Sequence, residues 1–193
     1  ALPLFTTHVF TSPNYPNNTI DVGFKVEVPS YYNDANNFIK NYGNDFRVIG
    51  FPVADEGITY EWEKGYQGAD LPSTLFDMPV IMFNTTVPYY YDLVKELEHA
   101  LKQSKDFPKI ANYLNVRFLV LREDIDFKKR NLSNPENIEK DLLTREVSGE
   151  IKKAGEFGKL KIWENKSWKD TTFYPASSLI ATSEARLLGL ANL

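Results

Sequence analysis

The sequence predicts a single α/β domain, a mixed β-sheet with flanking helices. Three observations predict it. Strand-like and helix-like segments alternate from residue 31 onward. The run at 116–122 is almost continuously apolar, which marks a strand covered on both faces. The length, 193 residues, supplies one real core and would crowd two. The domain is read as residues 1–193, with 1–20 an irregular arm and 187–193 an apolar tail.

In chain order, Val22, Phe24, Val26 and Val28 alternate with Gly23, Lys25 and Glu27, which is strand periodicity. Ser30 is placed to cap a helix over 31–42 that Gly43 ends, with Tyr31, Ala35, Phe38 and Tyr42 as its buried stripe. Residues 46–51 read as a strand closed by Pro52, and 55–77, punctuated by Gly and Pro, as a long loop. Residues 80–83 read as a further strand. Pro88 sets up a helix over 89–104 with Leu93, Val94, Leu97, Ala100 and Leu101 on one face and Lys95, Glu96, Glu98 and Lys102 on the other. A helical turn follows at 107–114, started at Pro108. Asn134 and Pro135 form a cap and first-turn pair for a helix that Ile138 and Leu142 anchor and that continues to Gly155. Residues 157–163 read as a strand with Leu160 and Ile162 inward and Lys159, Lys161 and Trp163 outward.

Composition excludes several functions. The net charge is −4, and the basic clusters Lys128-Lys129-Arg130 and Lys152-Lys153 are short and flanked by acids, so no phosphate-binding stripe exists and no nucleic-acid partner is expected. There is no cysteine, hence no disulfide, thiolate metal site or cysteine nucleophile. Asn17, Asn84, Asn131 and Asn165 each begin an Asn-X-Ser/Thr sequon, against roughly two expected by chance. The excess favours an exported, glycosylated protein. No signal peptide is visible and no apolar run approaches the roughly 20 residues that span a bilayer. The short apolar ends at 1–5 and 187–190 read as core-docked termini or as stubs beside membrane segments.

Residues 59–68 read Thr-Tyr-Glu-Trp-Glu-Lys-Gly-Tyr-Gln-Gly. In an extended chain Tyr60, Trp62 and Tyr66 share one face, and Glu61 and Glu63 the other. Aromatic rings beside carboxylates suit sugar stacking and hydroxyl recognition, and they suit a buried edge strand equally well. Arg122 and Asp124, after the strongest strand, form a second polar patch. Asp124-Ile125-Asp126 has the spacing by which two carboxylates share a divalent cation and a nucleotide diphosphate, but no glycine-rich phosphate loop accompanies it. His8 and His99 are the only histidines, no Gly-X-Ser-X-Gly occurs, and no carboxylate pair stands out for glycoside hydrolysis. No catalytic residue, cofactor or resident metal is therefore assigned.

Five segments carry a resemblance: Phe46-Arg47-Val48-Ile49-Gly50-Phe51-Pro52; Tyr60-Glu61-Trp62 with Gly65-Tyr66-Gln67-Gly68; Phe76-Asp77-Met78-Pro79-Val80; the run 114–124 beginning Leu114-Asn115-Val116-Arg117; and Phe157-Gly158-Lys159-Leu160-Lys161-Ile162-Trp163-Glu164-Asn165. Their order over residues 25–165 resembles the extracytoplasmic portion of multi-spanning membrane glycosyltransferases that use lipid-linked donors, chiefly the alpha-(1→3)-arabinofuranosyltransferase type and related bacterial and archaeal membrane proteins. In that class the catalytic carboxylate lies between early transmembrane helices, so no catalytic residue carries over. The resemblance implies an extracytoplasmic, non-catalytic domain that positions a glycan acceptor or lipid-linked sugar beside the membrane domain of the same parent. Tyr60, Glu61, Trp62, Glu63, Tyr66, Arg122 and Asp124 are the expected binding residues. Two alternatives remain: a secreted glycosylated surface or filament subunit that self-assembles through its apolar N-terminal arm, and a metal-dependent sugar-nucleotide transferase using Asp124 and Asp126.

Overall fold

In a computed structural model, residues 27–54, 58–63, 65–81, 88–103, 106–129 and 132–169 are described. The arm at 1–20, the tail at 187–193 and most of the expected strand at 22–28 lie outside them; Glu27 and Val28 are described and belong to no strand. No described helix is long and apolar enough to cross a membrane.

Helix α1 (Ser30–Lys40) begins one residue earlier than its expected cap allows: Pro29 takes the N-cap position and offers no side-chain bond. Its buried stripe is Tyr32, Ala35 and Ile39, rotated from the expected one, and Tyr42 falls beyond the helix, 39% exposed. Gly43, at φ 98°, reverses the chain as a non-glycine residue does only under strain. Strand β1 (Arg47–Phe51) follows and closes at Pro52 through a cis peptide bond.

The stretch expected as a long loop is structured. It forms β2 (Ile58–Tyr60), β3 (Tyr66–Gly68) and the short α2 (Pro72–Leu75), with β2 and β3 paired antiparallel as a separate two-stranded sheet. Three-residue strands leave no alternation to read, so the hairpin is held by what its side chains bury. Strand β4 (Val80–Ile81), helix α3 (Pro88–Gln103), helix α4 (Phe107–Tyr113) and strand β5 (Val116–Arg122) come next. In α5 (Pro135–Val147), Asn134 accepts a hydrogen bond from Glu136 N at 2.9 Å, the cap its sequence dictates. That helix does not reach Gly155. Gly149, at φ 79°, turns the chain, and the following residues form β6 (Ile151–Phe157), paired antiparallel with β7 (Leu160–Asn165).

The main sheet runs β4-β1-β5-β7-β6. The β4, β1 and β5 strands are parallel and the β7 and β6 strands antiparallel, so the sheet is mixed as expected. One face buries Ile49, Leu119, Leu121 and Trp163 against Val94 and Leu97 of α3, Ile110 of α4, and Ile138 and Leu142 of α5. The other buries Val48, Phe118, Val120 and Ile162 against α1 and the hairpin. Covering both faces explains the apolarity of β5. It also corrects Trp163, which points away from Leu160 and Ile162 yet is wholly buried, in the core under α3, α4 and α5. Each such aliphatic or aromatic side chain contributes roughly 1.5–3 kcal/mol by leaving water.

Candidate functional site

Strands β1 and β5 end side by side, and beyond their carboxyl ends the hairpin β2–β3 lies over the sheet. Its backbone is tied there: Glu61 N donates to Asp124 O at 2.7 Å, and Asp126 N donates to Thr59 O at 2.9 Å. The crevice past the carboxyl ends of parallel strands is where open α/β sheets commonly take ligands. Here that place is filled by two buried polar clusters that the sequence kept apart.

In the first, the Asp124 carboxylate is 2% exposed. Its Oδ2 accepts from Tyr31 Oη at 2.8 Å, Tyr32 Oη at 3.0 Å and Trp62 Nε1 at 2.7 Å. Its Oδ1 is buried and has no hydrogen-bond partner among the described residues. In the second, Arg122, 1% exposed, donates through one amino group to Asp70 at 2.5 Å and to Tyr60 Oη at 3.3 Å, and through the other to Pro52 O at 2.7 Å. Tyr60 in turn donates to Asp70 and accepts from Leu71 N. Gly50 makes the close approach feasible, since a Cβ there would stand 3.2 Å from Arg122 Nε.

The electrostatics follow from burial. Loss of water, reinforced by the Asp124 charge, pushes the Tyr31 and Tyr32 phenols well above their ordinary range. Burial does the same to Tyr60, where Arg122 opposes and Asp70 adds to it. Burial works most strongly against the Arg122 charge, but Asp70, Tyr60 and Tyr32 together outweigh it and the guanidinium is held above its ordinary value. The phenols are therefore fixed donors at neutral pH, not proton-transfer groups.

The structure thus brings Tyr60, Trp62, Tyr66, Arg122 and Asp124 together, all buried, with Glu61 and Glu63 exposed. The aromatic face of residues 59–68 is turned inward: Trp62 stacks with Tyr66 at 6.0 Å and meets Tyr32 edge-on at 5.6 Å. Asp126 is engaged in its own turn. Its Oδ1 accepts from Lys128 N and Lys129 N in the following turn, and among the described residues no group of three or more His, Asp or Glu is placed to hold a metal. Asn165, the one sequon asparagine among the described residues, is 2% exposed and donates from Nδ2, the atom a glycan would occupy, to Val116 O at 3.1 Å, so it is a structural amide in the folded domain. Asn17, Asn84 and Asn131 lie outside the description. The sequence reading missed Tyr31, Tyr32 and Asp70 as members of the network. The adjacent tyrosines at a helix start were a weak signal for the first two, and Asp70 had none.

No protein-family model and no curated protein sequence matches the chain. Among solved structures, the chain is similar to the arabinofuranosyltransferase AftD from Mycobacteria, with a TM-score of 0.57 and 16% identity over 72% of this chain and 12% of that one. A mutant form of the same enzyme gives 0.59 and 16%, over 76% of this chain and 13% of that one. The C-terminal globular domain of an oligosaccharyltransferase from Archaeoglobus fulgidus overlaps 73% of this chain and 100% of its own, at 16% identity and a TM-score of 0.45. The chain thus spans about an eighth of the length of the arabinofuranosyltransferase.

Proposed function

We propose that this chain is a non-catalytic, extracytoplasmic domain of a membrane glycosyltransferase-like protein, and that it positions a glycan acceptor or a lipid-linked sugar for a catalytic centre elsewhere in the parent. The observation that carries this reading is the fold shared with part of a mycobacterial arabinofuranosyltransferase over 72–76% of the chain. The state of the carboxylates is in keeping with it. Asp70 and Asp124 are buried and serve as acceptors for Arg122, tyrosines and Trp62, an arrangement for holding a loop in shape. In that loop Glu61 and Glu63 are the direct glycan contacts, accepting from sugar hydroxyls. Tyr60, Trp62, Tyr66, Arg122 and Asp124 act beneath them by fixing the hairpin.

Calorimetric titration of the 193-residue chain with arabinofuranosyl and mannosyl oligosaccharides, and with a lipid-linked sugar in detergent, tests the reading. Binding without turnover is the expected result. Sugar transfer or hydrolysis by the isolated chain would remove the non-catalytic role, and no binding by any of the three would remove the positioning role.

A further inference from the structure

We propose that Tyr42 and Trp168, clamped by Arg117, form a second glycan-binding surface that takes a neutral oligosaccharide by stacking. The surface lies at the amino end of β5, the opposite end of that strand from Asp124. It rests on the glycan-handling reading above and adds a site to it.

The surface originates in an irregularity of the sheet. Between Arg47 and Val48 the partner strand advances by two residues, from Val116 to Phe118, which makes Arg117 the extra residue of a β-bulge. Bulges re-aim a side chain beside functional sites. Here the bulge brings the guanidinium 4.8 Å from the Tyr42 ring centre and 4.5 Å from that of Trp168, so the cation bridges the two rings. Arg117 Nε donates to Glu164 at 2.9 Å, and another of its amino groups donates to Tyr42 O at 3.2 Å. The charge is thereby answered within the surface, which suits a neutral ligand and not a phosphate.

The rings are fixed before any ligand arrives. Trp168 Nε1 donates to Asn115 Oδ1 at 2.8 Å, Asn115 Nδ2 donates to Asp45 O at 2.8 Å, and Tyr42 packs edge-on to Phe118 at 5.1 Å. Little ordering cost is left for binding. Yet Tyr42 stays 39% exposed, and a Cβ added at its neighbour Gly43 would meet nothing within 4 Å. Asp45 is exposed two residues further on and offers its carboxylate to hydroxyl groups. An open aromatic ring with a polar rim is the chemistry that recognises the apolar face and equatorial or ring-edge hydroxyls of a sugar.

Tryptophan fluorescence reads this surface selectively, because Trp62 and Trp163 are 6% and 0% exposed while Trp168 is half-buried. The full chain is titrated with the arabinofuranosyl and mannosyl oligosaccharides while acrylamide quenching is followed. Bound sugar is expected to shield Trp168, and Tyr42→Ala to weaken that binding about tenfold, the loss of one stacking partner. Should Tyr42→Ala fold poorly, Asp45→Ala on the exposed loop gives the second reading, with a loss of several-fold. The double variant Glu61→Gln/Glu63→Gln is expected to leave the shielding intact. Calorimetric binding without shielding, or with Tyr42→Ala and Asp45→Ala unaffected, overturns this site and leaves the function standing. No binding by either oligosaccharide overturns this site, and the function falls with it only when the lipid-linked sugar also fails to bind.

Discussion

Trp62 Nε1 donates to Asp124 Oδ2 at 2.7 Å across 62 residues of chain. The same oxygen accepts from Tyr31 and Tyr32 on α1, so one carboxylate oxygen joins the hairpin, the first helix and the end of β5. The three donors come from two elements, α1 and the hairpin, and their common acceptor sets how the hairpin sits on the sheet.

Asp124→Ala is expected to cost about 3 kcal/mol or more, because the Tyr32 hydroxyl and the Trp62 ring nitrogen are left buried and unpaired at about 1–3 kcal/mol each. Asp124→Asn retains an acceptor oxygen and should cost about half as much. Urea denaturation measures both as shifts in midpoint at unchanged slope. Equal losses for the two variants would mean that negative charge, not acceptor geometry, is what the network requires.

Trp62 separates a structural from a ligand-contacting role for residues 59–68. Trp62→Phe keeps a ring and loses the donor, leaving part of Asp124 unanswered at about 1–2 kcal/mol. Trp62→Ala removes the ring from the stack with Tyr60 and Tyr66 and should cost about 3–5 kcal/mol. Wild-type stability for Trp62→Ala, together with loss of oligosaccharide binding, would return the ring to the surface.

What could be read from the chain was what local physics decides. Asn134-Pro135-Glu136 caps α5 because the amide oxygen and the free Glu136 N–H are adjacent in sequence, and β5 is legible because two cores leave no polar position along its middle. The hairpin was not legible. Its parity placed Tyr60, Trp62 and Tyr66 on one face correctly, but parity cannot say whether that face meets water or Tyr32 and Asp124, more than 25 residues away in either direction. Trp163 failed for the same reason: alternation assigns faces, and only α5 and α3 packed beyond it make the second face a core. The early end of α5 turned on Gly149 and not Gly155, and both glycines look alike until β6 finds β7.

Gly50 tests the Arg122 cluster without touching a charge. An added Cβ would stand 3.2 Å from Arg122 Nε, and the guanidinium has little freedom to retreat while it is held by Asp70 and by Pro52 O. Gly50→Ala should therefore destabilise by about 1–3 kcal/mol, the ordinary cost of overpacking. In an Arg122→Met background the steric cost should shrink, and a double-mutant cycle reports the difference as coupling. Additive losses would show that Gly50 is required for some reason other than the guanidinium.

The buried phenols give the domain an alkaline limit. Burial and the charge of Asp124 raise Tyr32, burial and Asp70 raise Tyr60 against the opposing Arg122, and burial raises Tyr66. In the unfolded chain these groups ionise near the ordinary tyrosine value of about 10. Above that pH the folded protein holds more protons than the unfolded one, so stability falls as pH rises, by up to about 1.4 kcal/mol per pH unit for each such phenol. Below it the contribution is fully present, and these tyrosines add no slope. Urea midpoints should therefore fall increasingly steeply above about pH 10, with phenolate absorbance appearing together with loss of far-ultraviolet dichroism. Tyr32→Phe should lower stability at neutral pH, by removing one of the donors to the Asp124 carboxylate, and flatten the alkaline decline. A midpoint that stays level to pH 11 would show that Tyr32 and Tyr60 ionise as easily in the folded chain as in the unfolded one.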